Sequence, residues 1–171
     1  CRSLSGAGGA GADGFEESMH DVHGNYSIHV LEHALQSVLG DGNVHVTGAL
    51  SADANPLEGG CSAFVCCNGT HYTALRMLRD DSRWLKLDSA TDGVELVTAQ
   101  EARRVLCAAT GHLQLGGELA AESDAVYFER QDAAHCGVHA CNNALGRRQF
   151  TIAGMQAIAV ACEREFALLQ W

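Results

Sequence analysis

A cysteine near the end of this chain sits at a helix start with no histidine beyond its own helix, and that dictates a long-range fold. The stretch runs Gln131-Asp-Ala-Ala-His-Cys136-Gly-Val-His-Ala-Cys-Asn142-Asn143-Ala-Leu-Gly146. A helix start offers free backbone N–H groups and partial positive charge, and both favour a thiolate. A side-chain amide upstream, Gln131, can donate to the oxyanion that forms when a thiolate attacks a carbonyl. No histidine follows Asn143. A general base for Cys136 therefore has to come from upstream, carried back by the fold.

The segment 62–88 supplies one. It reads Ser-Ala-Phe-Val-Cys-Cys-Asn-Gly-Thr-His71-Tyr-Thr-Ala-Leu-Arg-Met-Leu, a charged Arg-Asp-Asp-Ser-Arg, then Trp84-Leu-Lys-Leu-Asp88. Apolar runs around a charged turn predict a β-hairpin. An even number of residues lies between His71 and Asp88, so a regular hairpin would set them directly opposite, on one face. A carboxylate there would hold the imidazole in one tautomer and stabilise its cation. A cysteine in an apolar helix is more often an inert core residue. Gln131 and the His/Asp pair single Cys136 out from the other cysteines.

These blocks resemble the Josephin family of deubiquitinating cysteine proteases. Tyr127-Phe-Glu-Arg-Gln131 through Cys136, His139, Asn142 and Asn143 is similar to the family's opening segment. Gly24-Asn-Tyr-Ser27-Ile28-His29-Val30-Leu31-Glu-His-Ala34-Leu35 is similar to its central helix, and Phe64 to Ser89 to its catalytic hairpin. The family's order is Cys block, central helix, hairpin, whereas here the Cys block comes last. The resemblance therefore implies a circularly permuted, papain-like α+β fold, with helices packed on a mixed or antiparallel sheet. A segment 1–19, flexible and Gly/Ala-rich, would precede one catalytic domain, 20–171, with the family's old ends joined at about 116–124. The new ends would fall where relatives carry a helical arm that helps admit ubiquitin.

The resemblance implies Cys136 as nucleophile, His71 as general base, Asp88 as its orienter and Gln131 as oxyanion donor. Ile28 and His29 match positions that contact ubiquitin beside the active site. Phe150 matches part of a second ubiquitin surface, where Val38 stands in place of an expected aromatic. The expected activity is hydrolysis of isopeptide or peptide bonds after ubiquitin's C-terminal glycine, on ubiquitin or polyubiquitin chains, by a monomer without cofactor or metal. Two alternatives stay open: a thiol amidase or transglutaminase acting on another substrate, and a non-catalytic ubiquitin-binding module.

Composition narrows the field. A net charge of −10 argues against nucleic acid, whose phosphates need basic patches. It suits a basic partner such as ubiquitin's arginine-bearing tail, although acidity also simply aids solubility. With 47% apolar residues the chain can bury a real core and does not depend on disulfide staples. Its eight cysteines are expected as free thiols in a reducing compartment, cytoplasm or nucleus, with a secreted effector acting in a host cell also open. Zinc at Cys66, Cys67 and His71, or at His135, Cys136, His139 and Cys141, is disfavoured for want of paired C-x-x-C knuckles. No run is long enough to span a membrane.

Local signals give the elements. Ser27 caps a helix that ends near Gly40, and Val44 and Val46 mark a strand. Strands follow at Ala63–Cys67, His71–Leu78 and Arg83–Asp88. Thr98-Ala-Gln-Glu101 is a capping box opening a helix to about Ala108. His112–Leu115 and Ala125–Glu129 are expected as edge strands. A catalytic helix runs from about His135 to Leu145, and Thr151 caps a last helix with Ile152, Met155, Ala159, Cys162 and Phe166 along one face.

Overall fold

The computed structural model describes residues 26–51, 55, 57, 60–78, 83–91, 93–117, 119, 126–131 and 133–169. The expected flexible segment 1–19, and residues 118 and 120–124 of the expected join, lie outside them.

Helix α1, Ile28–Leu39, begins where the Ser27 hydroxyl accepts from the Val30 N–H, and stops at Gly40. A 3-10 turn at Asp41–Asn43 leads into strand β1, Val44–Gly48. Strands β2, Ala63–Cys67, β3, Tyr72–Met77, β4, Trp84–Leu87, and β5, Val94–Val97, follow. Helix α2, Ala99–Ala108, opens on the expected capping box between Thr98 and Glu101. Strand β6, Gly111–Leu115, precedes helix α3, Cys136–Leu145, and helix α4, Ile152–Leu169.

The strands form one antiparallel sheet in the order β1-β6-β2-β3-β4-β5. Successive side chains of a strand point to opposite faces, and here both faces are covered. Val65, Ala74, Leu87 and Leu113 share a core with Leu31 and Leu35 of α1, Val138 and Cys141 of α3, and Met155 of α4. Phe64, Leu75, Trp84 and Val97 join Ala102 and Leu106 of α2 in a second core. Double coverage explains why β2 reads as an unbroken apolar run rather than an alternation. Leu31 and Leu35 are fully buried, each burial contributing about 2 kcal/mol.

Three expectations change, and two further features were not foreseen. Helix α2 covers the sheet face opposite α1, α3 and α4. Strand β6 is central, between β1 and β2, and not an edge. Residues 126–129 form no strand. Strand β5 is an unforeseen edge: Val94 and Leu96 are 39% and 51% exposed, so its sequence lacks the usual in-out alternation. The α4 stripe is core from Met155 through Cys162, but Phe166 is 49% exposed.

Candidate active site

The catalytic hairpin forms, with a register unlike the one expected. Ala74 pairs with Leu87 and Met77 with Trp84, and the Leu78 N–H donates to Arg83 O. Four residues separate Leu78 from Arg83, where direct opposition of His71 and Asp88 would have left only two between the last paired residues. Extended one step, the ladder sets Asp88 across from Thr73 and diagonal to His71. A diagonal neighbour on the same face is still within reach of a ring and a carboxylate. Indeed His71 Nε2 lies 2.8 Å from Asp88 Oδ1.

Both groups are held by tight local backbone. Gly69, at φ 95°, turns the chain between β2 and β3, and the Asn68 N–H donates to His71 O at 3.1 Å. Asp88 Oδ1 also accepts from the Ala90 N–H at 3.0 Å, and its carbonyl accepts from the Thr91 hydroxyl at 3.0 Å. Because a carboxylate only accepts, Nε2 carries the proton in neutral His71 and Nδ1 is left as the base.

Helix α3 brings Cys136 to the same turn. The thiol is buried, 4% exposed, and its partner among the described residues is the Thr70 carbonyl oxygen, 4.0 Å away. Burial pushes this thiol up, opposed by the backbone N–H groups of Tyr72 and Gly137. Burial thus works against the thiolate that the helix start favours. Thr70 and Tyr72 are the two chain neighbours of His71. Thiol and imidazole thus share one corner of the fold, without a hydrogen bond between them. Among the described residues no side chain caps the first turn of α3; its Val138 N–H donates to His135 O at 3.1 Å, and the Cys136 and Gly137 amides face the thiol. The helix ends at Gly146, φ 71°, where a Cβ would lie 2.1 Å from Arg76 Nη1.

Gln131 sits on an irregular segment tied to the residue after Asp88. Its N–H donates to Ser89 O at 2.9 Å, and the Ser89 hydroxyl donates to Gln131 Oε1 at 3.2 Å. Ser89, 1% exposed, directly follows Asp88. Between Gln131 and Cys136, Ala133 adopts φ 72°, a left-handed conformation that costs a non-glycine residue about 1 kcal/mol or more.

A polar cluster that the sequence reading left without a role backs this segment. The Glu129 carboxylate accepts from the Tyr127 hydroxyl, from His139 Nδ1 at 2.9 Å and from Asn142 Nδ2 at 2.9 Å. Asn143 brackets the Glu129 backbone, its Oδ1 accepting the N–H at 2.6 Å and its Nδ2 donating to the carbonyl at 3.1 Å. Burial alone would raise the Glu129 carboxyl, but donors from Tyr127, Asn142 and His139 outweigh it and hold the group below its ordinary value. His139, Asn142 and Asn143 stand at i, i+3 and i+4, one polar face on an otherwise buried helix. That spacing was the available signal.

Ile28 and His29 open α1 at the same end of the sheet. A Cβ at Gly111, which pairs with Cys67, would meet Ile28 Cδ1 at 3.4 Å. The His29 side chain is 60% exposed. Phe150, in contrast, is a core residue, with its backbone N–H and carbonyl both tied to Asn142, and offers no second ubiquitin surface. The described cysteines, Cys61 through Cys162, are free thiols. Among the described residues no three His, Cys, Asp or Glu side chains converge as metal ligands do, and no helix is long and apolar enough to cross a membrane.

A family model described as Josephin matches residues 10–113, which take in α1, the hairpin and the Asp88 turn but stop short of Cys136. No curated protein matches the chain. The family is one of cysteine-protease deubiquitinases whose domains bind ubiquitin. With more than half of its length matched and an antiparallel α+β architecture consistent with a papain-like fold, this chain belongs to the Josephin family.

Proposed function

We propose that this chain is a deubiquitinase in which Cys136, His71, Asp88 and Gln131 act together. The carrying observation is the corner at Thr70–Tyr72: the residues flanking His71 line the Cys136 thiol, while Asp88 occupies the other end of the ring. His71 Nδ1 takes the thiol proton as the sulfur attacks the carbonyl carbon of ubiquitin's last glycine. An S–C bond forms, and the oxyanion faces Gln131 and the amide of Cys136. Collapse breaks the C–N bond, and the leaving amine takes the proton from His71. Water then hydrolyses the thioester.

Substrate would approach past Ile28 and His29. The chain works in permuted order, with the Cys block after the hairpin. Two observations support that arrangement: the family match ends before Cys136, and α3 nonetheless packs its first turn against the start of β3. The family's former ends would be joined at about 116–124. Free thiols suit a reducing compartment, cytoplasm or nucleus.

A ubiquitin probe with a C-terminal electrophile tests this reading, alongside hydrolysis of a ubiquitin C-terminal amide. The expected result is one adduct, mapped to Cys136, and turnover that Cys136→Ala abolishes. An adduct that survives Cys136→Ala overturns the assignment of the nucleophile. Tight ubiquitin binding without adduct or turnover makes the chain a binding module, and activity confined to glutamine amides makes it a different thiol enzyme.

A further inference from the structure

The family reading assigns Gln131 a role but does not say what aims it. A side-chain amide has a donor end and an acceptor end, and only the donor end stabilises an oxyanion. Were Gln131 turned around, Nε2 would spend an N–H on Ser89 and Oε1 would face outward, repelling developing negative charge. The Ser89 hydroxyl donates to Oε1, which leaves Nε2 with both N–H groups unused among the described residues. The Ser89 carbonyl fixes the backbone of the same residue. Two residues earlier, Glu129 is bound by side chains of α3 through both its carboxylate and its backbone.

We infer that Ser89 and Glu129 are positioning residues that pin segment 129–131 at its two ends and so fix Gln131 with its amide nitrogen toward the thiol. Ser89 does so from the catalytic hairpin, one residue after Asp88. Glu129 does so from the helix that carries the nucleophile. Donor, base and thiol are thereby referenced to the same two elements, so that the donor needs no reorganisation when charge develops. The inference rests on reading Gln131 as the oxyanion donor.

Two reagents that carry no ubiquitin isolate this role. Acylation by p-nitrophenyl acetate joins Cys136 sulfur to the acyl carbon through an oxyanion and expels nitrophenolate. Alkylation by iodoacetamide joins sulfur to carbon and expels iodide, with no oxyanion. The ratio of the two rates reports donor function alone and does not depend on whether ubiquitin is the substrate. Gln131→Ala is expected to lower the ratio about 100-fold, in line with loss of one such donor. Ser89→Ala should lower it roughly 10-fold, and Glu129→Gln by a smaller factor in the same direction. In a Gln131→Ala background neither change should lower it further, because the group being aimed is gone. An unchanged ratio in Gln131→Ala or Ser89→Ala overturns the inference, as does an equal drop with Gln131 already removed. If Ser89→Ala does not fold, Glu129→Gln in the two backgrounds decides the matter on the same criteria.

Discussion

The hairpin and the segment 127–131 hold the proposed catalytic groups by different means. The hairpin holds His71 and Asp88 on a ladder of backbone bonds, flanked by buried Leu75, Trp84 and Leu87. Segment 127–131 has no regular structure and holds Gln131 by side chains: Tyr127, Glu129, His139, Asn142, Asn143 and Ser89. Backbone pairing is generic, so surface polar groups on the hairpin are dispensable. A side-chain cluster is particular, since losing one member strands the buried partners of the others.

Removing the hub should have the largest effect. Glu129→Ala leaves the Tyr127 hydroxyl and His139 Nδ1 without their acceptor and Asn142 Nδ2 with only the Phe150 carbonyl, and is expected to cost about 3 kcal/mol in denaturant unfolding. A loss under about 1 kcal/mol would mean the cluster is not what holds the segment. Acid sharpens the same point. The folded Glu129 carboxyl lies below its ordinary value, so its contribution is complete above the unfolded value of about 4.3 and fades as pH falls through the folded one. The stability gap between the native chain and Glu129→Gln should therefore narrow on acidification below about pH 4. At the other extreme, Lys86 on β4 meets Glu95 on β5 at 3.0 Å, across a sheet edge where Glu95 is 62% exposed. Lys86→Ala should change stability by about 0.5 kcal/mol or less. A cost comparable to that of Glu129→Ala would erase the contrast between the two regions.

The same contrast decides what the sequence discloses. Periodicity and caps locate α1, α2, α3, α4 and the hairpin strands, because Ser27, the Thr98–Glu101 box and Gly146 act within a turn of where they stand. Pairing partners are less legible. Nothing local says that β6 inserts between β1 and β2, or that β5 adds an edge with Val94 and Leu96 outward. The hairpin register depended on how many residues the charged turn absorbs, which the letters Arg-Asp-Asp-Ser do not fix. The candidate reactive residues were nameable from chemistry and spacing, Cys136 through its helix start and His71 through the absence of a downstream histidine. Ser89 and Glu129 were not, since their contacts span 42 and 13 residues of chain and appear only once the fold closes.

The account rests on an upstream imidazole serving a downstream thiol whose ionisation burial opposes. The most direct measurement is the rate at which the ubiquitin electrophile labels Cys136 before and after His71→Ala, at neutral pH and with folding verified. Loss of the general base should slow labelling about 100-fold or more, with the residual adduct still on Cys136. Labelling of His71→Ala at the native rate would contradict the account, for it would mean that Cys136 reacts without the histidine.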